Sequence, residues 1–120
     1  MHPVCSVRKM GLESKLEAVA RACSTAVTVP ADVTCCGWAG DRGFTFPELN
    51  AHALRHLPAA LPSGCGAGYS SSRTCEIGLS EMAEFPYQSI LYLVESCSSA
   101  KTGASTEGAP AHPAKEARPA

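Results

Sequence analysis

Seven cysteines in a chain of 120 residues constrain this protein more than any other feature, because the same chain has only one Trp and three Phe. A chain so rich in cysteine is typically a disulfide scaffold, a metal-binding protein or a redox protein. Its N-terminal segment has no apolar stretch after the basic residues, so we expect no secretory signal and a cytoplasmic location, where structural disulfides are rare. Seven is also an odd number, so at least one thiol stays unpaired. We therefore rank metal or redox chemistry above a disulfide scaffold.

Charge and hydropathy exclude two classes of partner. The formal net charge is −1 and the isoelectric point is near 6.4, so no basic surface is predicted for nucleic acid or for anionic lipid. No apolar run approaches the roughly 20 residues that a membrane-spanning helix needs. We expect neither a nucleic-acid partner nor a membrane span.

The chain divides into a folded part and a tail. Residues 98–120 contain no Leu, Ile, Val, Phe, Tyr or Trp and are rich in Ala, Pro, Ser and Thr. Such a segment cannot bury enough apolar surface to offset its chain entropy. We predict one cysteine-rich domain over residues 1–97 and a disordered tail over 98–120.

Helical and strand-like patterns alternate within the predicted domain. Helices are predicted over 12–23, 45–57 and 76–83, and β-rich apolar runs lie at 26–29 and 89–94. This alternation favours an α/β fold with a small, mostly parallel sheet and flanking helices.

The second predicted helix has the clearest start signal. Thr45 and Glu48 have the spacing of a capping box, with Pro47 inside the first turn. Helical periodicity predicts that this helix buries Leu49 and exposes Asn50.

The positions of the cysteines suggest that the N-terminus of the sheet is truncated. Functional residues of parallel sheets lie just beyond the carboxyl ends of strands, and Cys35, Cys36 and Cys75 each follow a plausible strand. Only four residues precede Cys5. We therefore expect that the strand delivering Cys5 belongs to a longer chain.

Four cysteines, Cys5, Cys35, Cys36 and Cys75, fall at predicted loop positions and are the candidate metal ligands. Gaps of 29 and 38 residues separate Cys5 from Cys35 and Cys36 from Cys75. Adjacent cysteines suit a multi-iron cluster better than a tetrahedral zinc ion, whose ligands usually come in C-x₂₋₄-C pairs. This spacing permits a metal site without identifying the metal.

Two glycines are the candidate cofactor-binding residues beside the cysteine pair. Gly37 allows the backbone to approach a bulky inorganic group, and the amides from Gly37 through Gly40 can donate hydrogen bonds to sulfur. Cys75 lies where a helix is predicted to begin, and the helix dipole there favours a thiolate.

The other three cysteines receive no site role. Cys23 lies on the apolar face of the first predicted helix, and free cysteine often behaves as a small buried hydrophobe. Cys65 lies in a Gly-rich loop and Cys97 at the edge of the predicted tail. We expect Cys23 to be a free, buried cysteine and Cys65 and Cys97 to be incidental, with a role for Cys65 as a fifth ligand only if its loop folds inward.

Three separated motifs resemble those of the CCG (cysteine-rich) domain family of heterodisulfide reductases and related iron–sulfur proteins. The central motif reads CCGWAGDRGF over 35–44, followed by PEL over 47–49. The first is HPVCS over 2–6, and the last is GYSSSRTCEIGL over 68–79. Together they span nearly all of the predicted domain, in the order of the family.

The resemblance is strongest to the C-terminal part of FAD-linked D-lactate dehydrogenase (cytochrome) and glycolate-oxidase-like oxidoreductases. It implies an electron-transfer module that holds an iron–sulfur cluster, [4Fe–4S], on Cys5, Cys35, Cys36 and Cys75. It also implies a partner domain or subunit that carries FAD and a quinone or cytochrome as acceptor. The location would be cytoplasmic, either free or peripheral at the inner face of the membrane. A chain without the flavin domain would be inactive alone.

One position departs from the fullest form of the family motif. That form ends in CxxC, whereas here Cys75 is followed at the third position by Gly78. With four cysteines in place of five, the resemblance implies a cubane or remodelled cluster rather than the noncubane clusters of heterodisulfide reductase. Two alternatives stay open: a zinc-structured, noncatalytic interaction domain, and a degenerate fragment that binds no metal.

Overall fold

A computed structural model describes residues 1–99, and the predicted tail from residue 100 onward lies outside them. Short helices dominate this part of the chain, together with two strands of three residues each and one 3₁₀ turn at Arg42–Phe44. The helices are α1 (Cys5–Lys9), α2 (Glu13–Cys23), α3 (Pro47–Ala53), α4 (Leu57–Ala60), α5 (Arg73–Met82) and α6 (Ile90–Ser98). The strands are β1 (Gly68–Ser70) and β2 (Tyr87–Ser89).

The two strands form a parallel sheet with α5 as the connection between them. Gly68 pairs with Tyr87 and Ser70 with Ser89. A parallel pair needs such a crossover, because the chain must return to the starting edge before it pairs again. The structure confirms the predicted α/β class with a small parallel sheet.

The N-terminal segment binds to β1 without forming a regular strand. The His2 amide donates to the Tyr69 carbonyl at 2.9 Å, and the Ser70 hydroxyl donates to the His2 carbonyl at 3.0 Å. Both His2 and Val4 are buried. These contacts hold the residues immediately before Cys5 against the sheet.

One hydrophobic core lies between the sheet, α5 and the long irregular segment 24–41. Apolar side chains from six parts of the chain meet there, so the irregular segment is held by its burial rather than by ladder hydrogen bonds. The core residues include Val4, Val33, Trp38, Leu54, Leu57, Leu79 and Tyr87.

Helices α2 and α6 pack against each other, and a disulfide joins Cys23 to Cys97. The two Cα atoms are 5.5 Å apart, inside the range that a disulfide bridges. The prediction that Cys23 is a free cysteine is therefore wrong. The two cysteines are 74 positions apart, and no sequence signal indicated that α2 and α6 are neighbours.

Both predicted strand segments take other conformations. Residues 26–29 are irregular, and 90–94 form the start of α6, directly after β2. The Ser89 hydroxyl accepts a hydrogen bond from the Leu91 amide and so caps the helix. Ile90 is buried, whereas Leu91 and Tyr92 are 71% and 63% exposed. A short apolar run with β-branched residues is compatible with a strand or with one face of a helix. Here the segment is helical, and it packs against α2 and the sheet.

The predicted helix over 45–57 is split into α3 and α4 by a turn. The cap residue of α3 is Phe46 and makes no side-chain cap hydrogen bond, so the capping box does not form. Pro58 lies in the first turn of α4, where its missing N–H needs no partner.

No helix in residues 1–99 combines the length and the apolar character that crossing a membrane requires.

The buried His2 gives this fold a testable pH dependence. Burial, together with the nearby Arg8 guanidinium and the N-terminal ammonium, lowers the pKa of His2 to about 4. The unfolded chain takes up this proton near its ordinary pKa of about 6.5, so the free energy of unfolding should fall as the pH drops from 6.5 towards 4. We expect a His2 contribution of about 3 kcal/mol across that window, measured by denaturant unfolding.

The His2→Gln variant should lose this contribution, because glutamine does not titrate. His52→Gln is the matched control, since His52 is exposed. Equal loss of stability in wild type and His2→Gln between pH 7 and pH 4.5 would contradict the assignment.

Candidate metal centre

Two predicted ligands from distant motifs meet in the core. The Cys36 and Cys75 sulfur atoms lie 2.9 Å apart, although 39 positions separate the residues. Both side chains are buried, with exposures of 5% and 8%. The fold therefore places two thiols from the second and third motifs in direct contact.

Helix α3 fixes the backbone of Cys36. The Asn50 side-chain amide donates a hydrogen bond of 2.7 Å to the Cys36 carbonyl. The next residue, Gly37, has φ +74°, and a Cβ there would overlap the Leu49 carbonyl. Only glycine combines this left-handed backbone with so close an approach to α3. These contacts explain why Asn50 is buried and Leu49 is 45% exposed, the reverse of the prediction from periodicity.

Helix α5 positions Cys75 in its first turn, as the sequence predicts. The hydrogen bond with Cys75 lowers the pKa of Cys36 to about 6, and the same bond raises the pKa of Cys75. Burial opposes ionisation of both thiols. The two thiols therefore titrate as a coupled pair that loses its first proton more readily than its second.

The other two predicted ligands lie at the surface beside this pair. Cys5 is the first residue of α1, and its charge is close enough to contribute to the raised pKa of Cys75, behind the bond to Cys36 and burial. Cys35 is exposed, and its sulfur accepts a hydrogen bond of 3.3 Å from the Gly37 amide. Within residues 1–99, no three side chains of His, Cys, Asp or Glu come close enough to hold a metal ion.

The two candidate cofactor-binding glycines differ in their surroundings. Gly37 faces α3 and uses its amide on the Cys35 sulfur. Gly40 has φ +78°, lies in a turn, and has open space where a Cβ would be. Neither Cys35 nor Cys36 follows a regular strand, in contrast to the prediction.

The structure supplies a physical reason for Gly78, the position that departs from the family motif. Gly78 is buried on α5, and a Cβ there would overlap the Trp38 indole nitrogen and the Asn50 amide. Cys75 and Gly78 are three residues apart and share one helix face. A cysteine at position 78 has no room in this packing, so the site has four candidate ligands.

Three further residues of the site have no sequence signal that marks them. Asn50 and Trp38 pack against Gly78, and Trp38 Nε1 has no hydrogen-bond partner in the described part of the chain. Glu76, next to Cys75, is 3% exposed and pairs with Arg73 at 3.3 Å. Arg73 forms an ion pair with this carboxylate. The sequence did not indicate that Arg73 pairs with Glu76.

Comparisons with protein-family models, with curated proteins and with solved structures found no match for this chain. The resemblance to the CCG family therefore rests on the three motifs and on nothing else.

Replacing Gly78 tests the packing that defines the site. We expect Gly78→Ala to lower the free energy of unfolding by about 1–3 kcal/mol, because the added methyl overlaps Trp38 and Asn50. This loss would run against helix propensity, which favours Ala over Gly by about 1 kcal/mol. Denaturant unfolding measures the change.

Gly66→Ala is the matched control, because a Cβ at Gly66 meets nothing within 4 Å. We expect its effect to stay within about 0.5 kcal/mol. A stabilised Gly78→Ala protein would show that Trp38 does not pack against α5 as described.

Proposed function

We propose that this chain is an iron–sulfur electron-transfer module similar to the CCG domain of FAD-linked 2-hydroxy-acid dehydrogenases. The contact between Cys36 and Cys75 carries the proposal, because it joins two of the three motifs on which the resemblance rests. Two buried thiols in contact, one of which has a lowered pKa, are suited to metal binding, since the thiolate is the ligand form of cysteine.

The surroundings of the pair fit a cluster by their donor chemistry. Cys5, Cys35, Cys36 and Cys75 would hold it. Such a cluster would supply one-electron transfer at a potential between about −700 and +450 mV. The Gly37 amide already donates to a cysteine sulfur, the kind of hydrogen bond that tunes a cluster potential.

Each residue around the pair would have a defined task. Asn50 holds the Cys36 carbonyl and so orients its sulfur. The core around Trp38 and Leu79 excludes water from one side of the site. Electrons would come from a flavin-containing dehydrogenase domain or subunit and pass to a quinone or cytochrome.

Anaerobic reconstitution with ferrous iron and sulfide tests this proposal. We expect a brown protein with iron and acid-labile sulfide in near-equal amounts. Cys36→Ser should abolish the chromophore, because it removes a buried ligand. Cys65→Ser is the matched control, since Cys65 lies in the loop before β1 and outside the pair.

The metal content also separates the alternatives. Stoichiometric zinc without sulfide would replace electron transfer with a zinc-structured interaction domain. Neither metal, together with an unfolded circular dichroism spectrum, would indicate a degenerate fragment. An unchanged visible spectrum in Cys36→Ser would remove that residue from the ligand set.

The proposal makes a second prediction about activity. Hydride removal from a 2-hydroxy acid needs the flavin, which we assign to the partner. The reconstituted chain should therefore fail to reduce a dye with D-lactate, while it accepts electrons from dithionite. Dye reduction by D-lactate without a partner would contradict this division of labour.

A further inference from the structure

The backbones on either side of the Cys36–Cys75 contact are both held in place. On one side, the Asn50 amide and the close packing of Gly37 on α3 hold Cys36. On the other side, Cys75 belongs to the first turn of a ten-residue helix that packs on the sheet. The two sulfur atoms are therefore positioned by the fold itself, without a metal between them.

We propose that Cys36 and Cys75 form a reversible disulfide when a hydroperoxide reaches the metal-free protein, and that this bond closes the metal site until a thiol reduces it. An S–S bond is about 2.05 Å long, so the sulfur atoms need to approach by less than about 1 Å from their 2.9 Å separation. Holding two reacting atoms at near-bonding distance makes their reaction effectively unimolecular.

The same geometry favours disulfide formation between Cys36 and Cys75 over disulfide formation by the other cysteines. Cys5 and Cys35 are exposed, and the Cys35 sulfur is engaged by the Gly37 amide. The Cys65 sulfur lies against the Ala67 carbonyl at 3.6 Å. Cys23 and Cys97 are already joined to each other.

The oxidation proceeds in two balanced steps. The Cys36 sulfur attacks one peroxide oxygen, the O–O bond breaks, and Cys36 becomes a sulfenic acid with release of water. The Cys75 sulfur then attacks the Cys36 sulfur, the S–O bond breaks, and the thiol proton leaves with the hydroxyl as a second water. Two thiols and one hydrogen peroxide thus give one disulfide and two waters. A small oxidant suits sulfurs that are only 5% and 8% exposed.

Formation of this disulfide does not depend on the proposed function. Its effect on metal binding does, because that effect requires Cys36 and Cys75 to be cluster ligands. If Cys36 and Cys75 are cluster ligands, their oxidation removes half of the four-cysteine set. A chain that loses its cluster to peroxide would then stay metal-free until it is reduced.

The test uses the metal-free full chain, with the Cys23–Cys97 disulfide kept and the other cysteines reduced, and one equivalent of hydrogen peroxide. Remaining thiols are alkylated, and the protein is cleaved at Arg, Asp and Glu. Cleavage at Asp32 separates Cys23 from the Cys35–Cys36 pair, and cleavage at Glu76 separates Cys75 from Cys97. Mass spectrometry should find residues 33–41 linked to residues 74–76 in most chains, two hydrogens lighter than the reduced peptides.

The neighbouring cysteines provide the matched variants. Cys35→Ser should keep the link within twofold of wild type, and Cys36→Ser should lose it entirely. A link that survives Cys36→Ser, a link from Cys5 to Cys75, or full alkylation of both thiols in wild type would overturn the proposal. The wild-type result decides even if Cys36→Ser does not fold.

Reconstitution with iron and sulfide then separates the two proposals. Oxidised protein that loads a cluster only after dithiothreitol supports both. A disulfide that forms in a protein that never loads a cluster supports the redox pair and contradicts the proposed function. A cluster that loads equally well before and after peroxide, with no disulfide found, contradicts the redox pair alone.

Discussion

The close packing of α5 on the segment that carries Trp38 is the interaction on which the rest of the site depends. Gly78 has no side chain, so the Trp38 indole and the Asn50 amide reach the helix surface directly. Cys75 is one helical turn before Gly78, and Cys36 is two residues before Trp38. The contact at Gly78 therefore brings Cys75 to Cys36. A larger residue at Gly78 would separate the helix from the loop and the two sulfurs from each other.

This packing also explains how an irregular segment can hold the Cys36 side chain in a fixed position. Residues 24–41 have no ladder hydrogen bonds to fix them, yet Val33, Cys36 and Trp38 are buried within the core. Asn50 satisfies the Cys36 carbonyl, which would otherwise be a buried acceptor without a donor. Burial and one side-chain hydrogen bond thus take the place of a strand. Two buried thiols held in this way are suited to bind a soft metal or to bond to each other, and both proposals use that property.

Predictions from the sequence were most successful where one local pattern was sufficient. The helix predicted over 12–23 and the helix predicted to begin near Cys75 are both present. The amphipathic spacing of their apolar residues is a local pattern that is sufficient to predict a helix. The run 89–94 was predicted as a strand and is helical, because an apolar run of six residues does not distinguish the two states. Periodicity also assigned Leu49 and Asn50 to the wrong faces of α3, since a hydrogen bond to a distant carbonyl outweighs the usual preference for burying the leucine.

The sequence by itself determined the chemistry available to this protein: a high cysteine content, one adjacent pair followed by glycine, and three motifs in a recognisable order. The α/β class was predicted correctly, although the two strands are β1 and β2 and not the β-rich runs from which the class was inferred. Only the tertiary structure decided which cysteines meet. It joined Cys36 to Cys75 and Cys23 to Cys97, and it left Cys5 and Cys35 exposed. These pairings join residues 39 and 74 positions apart, so they depend on long-range packing that no local pattern encodes.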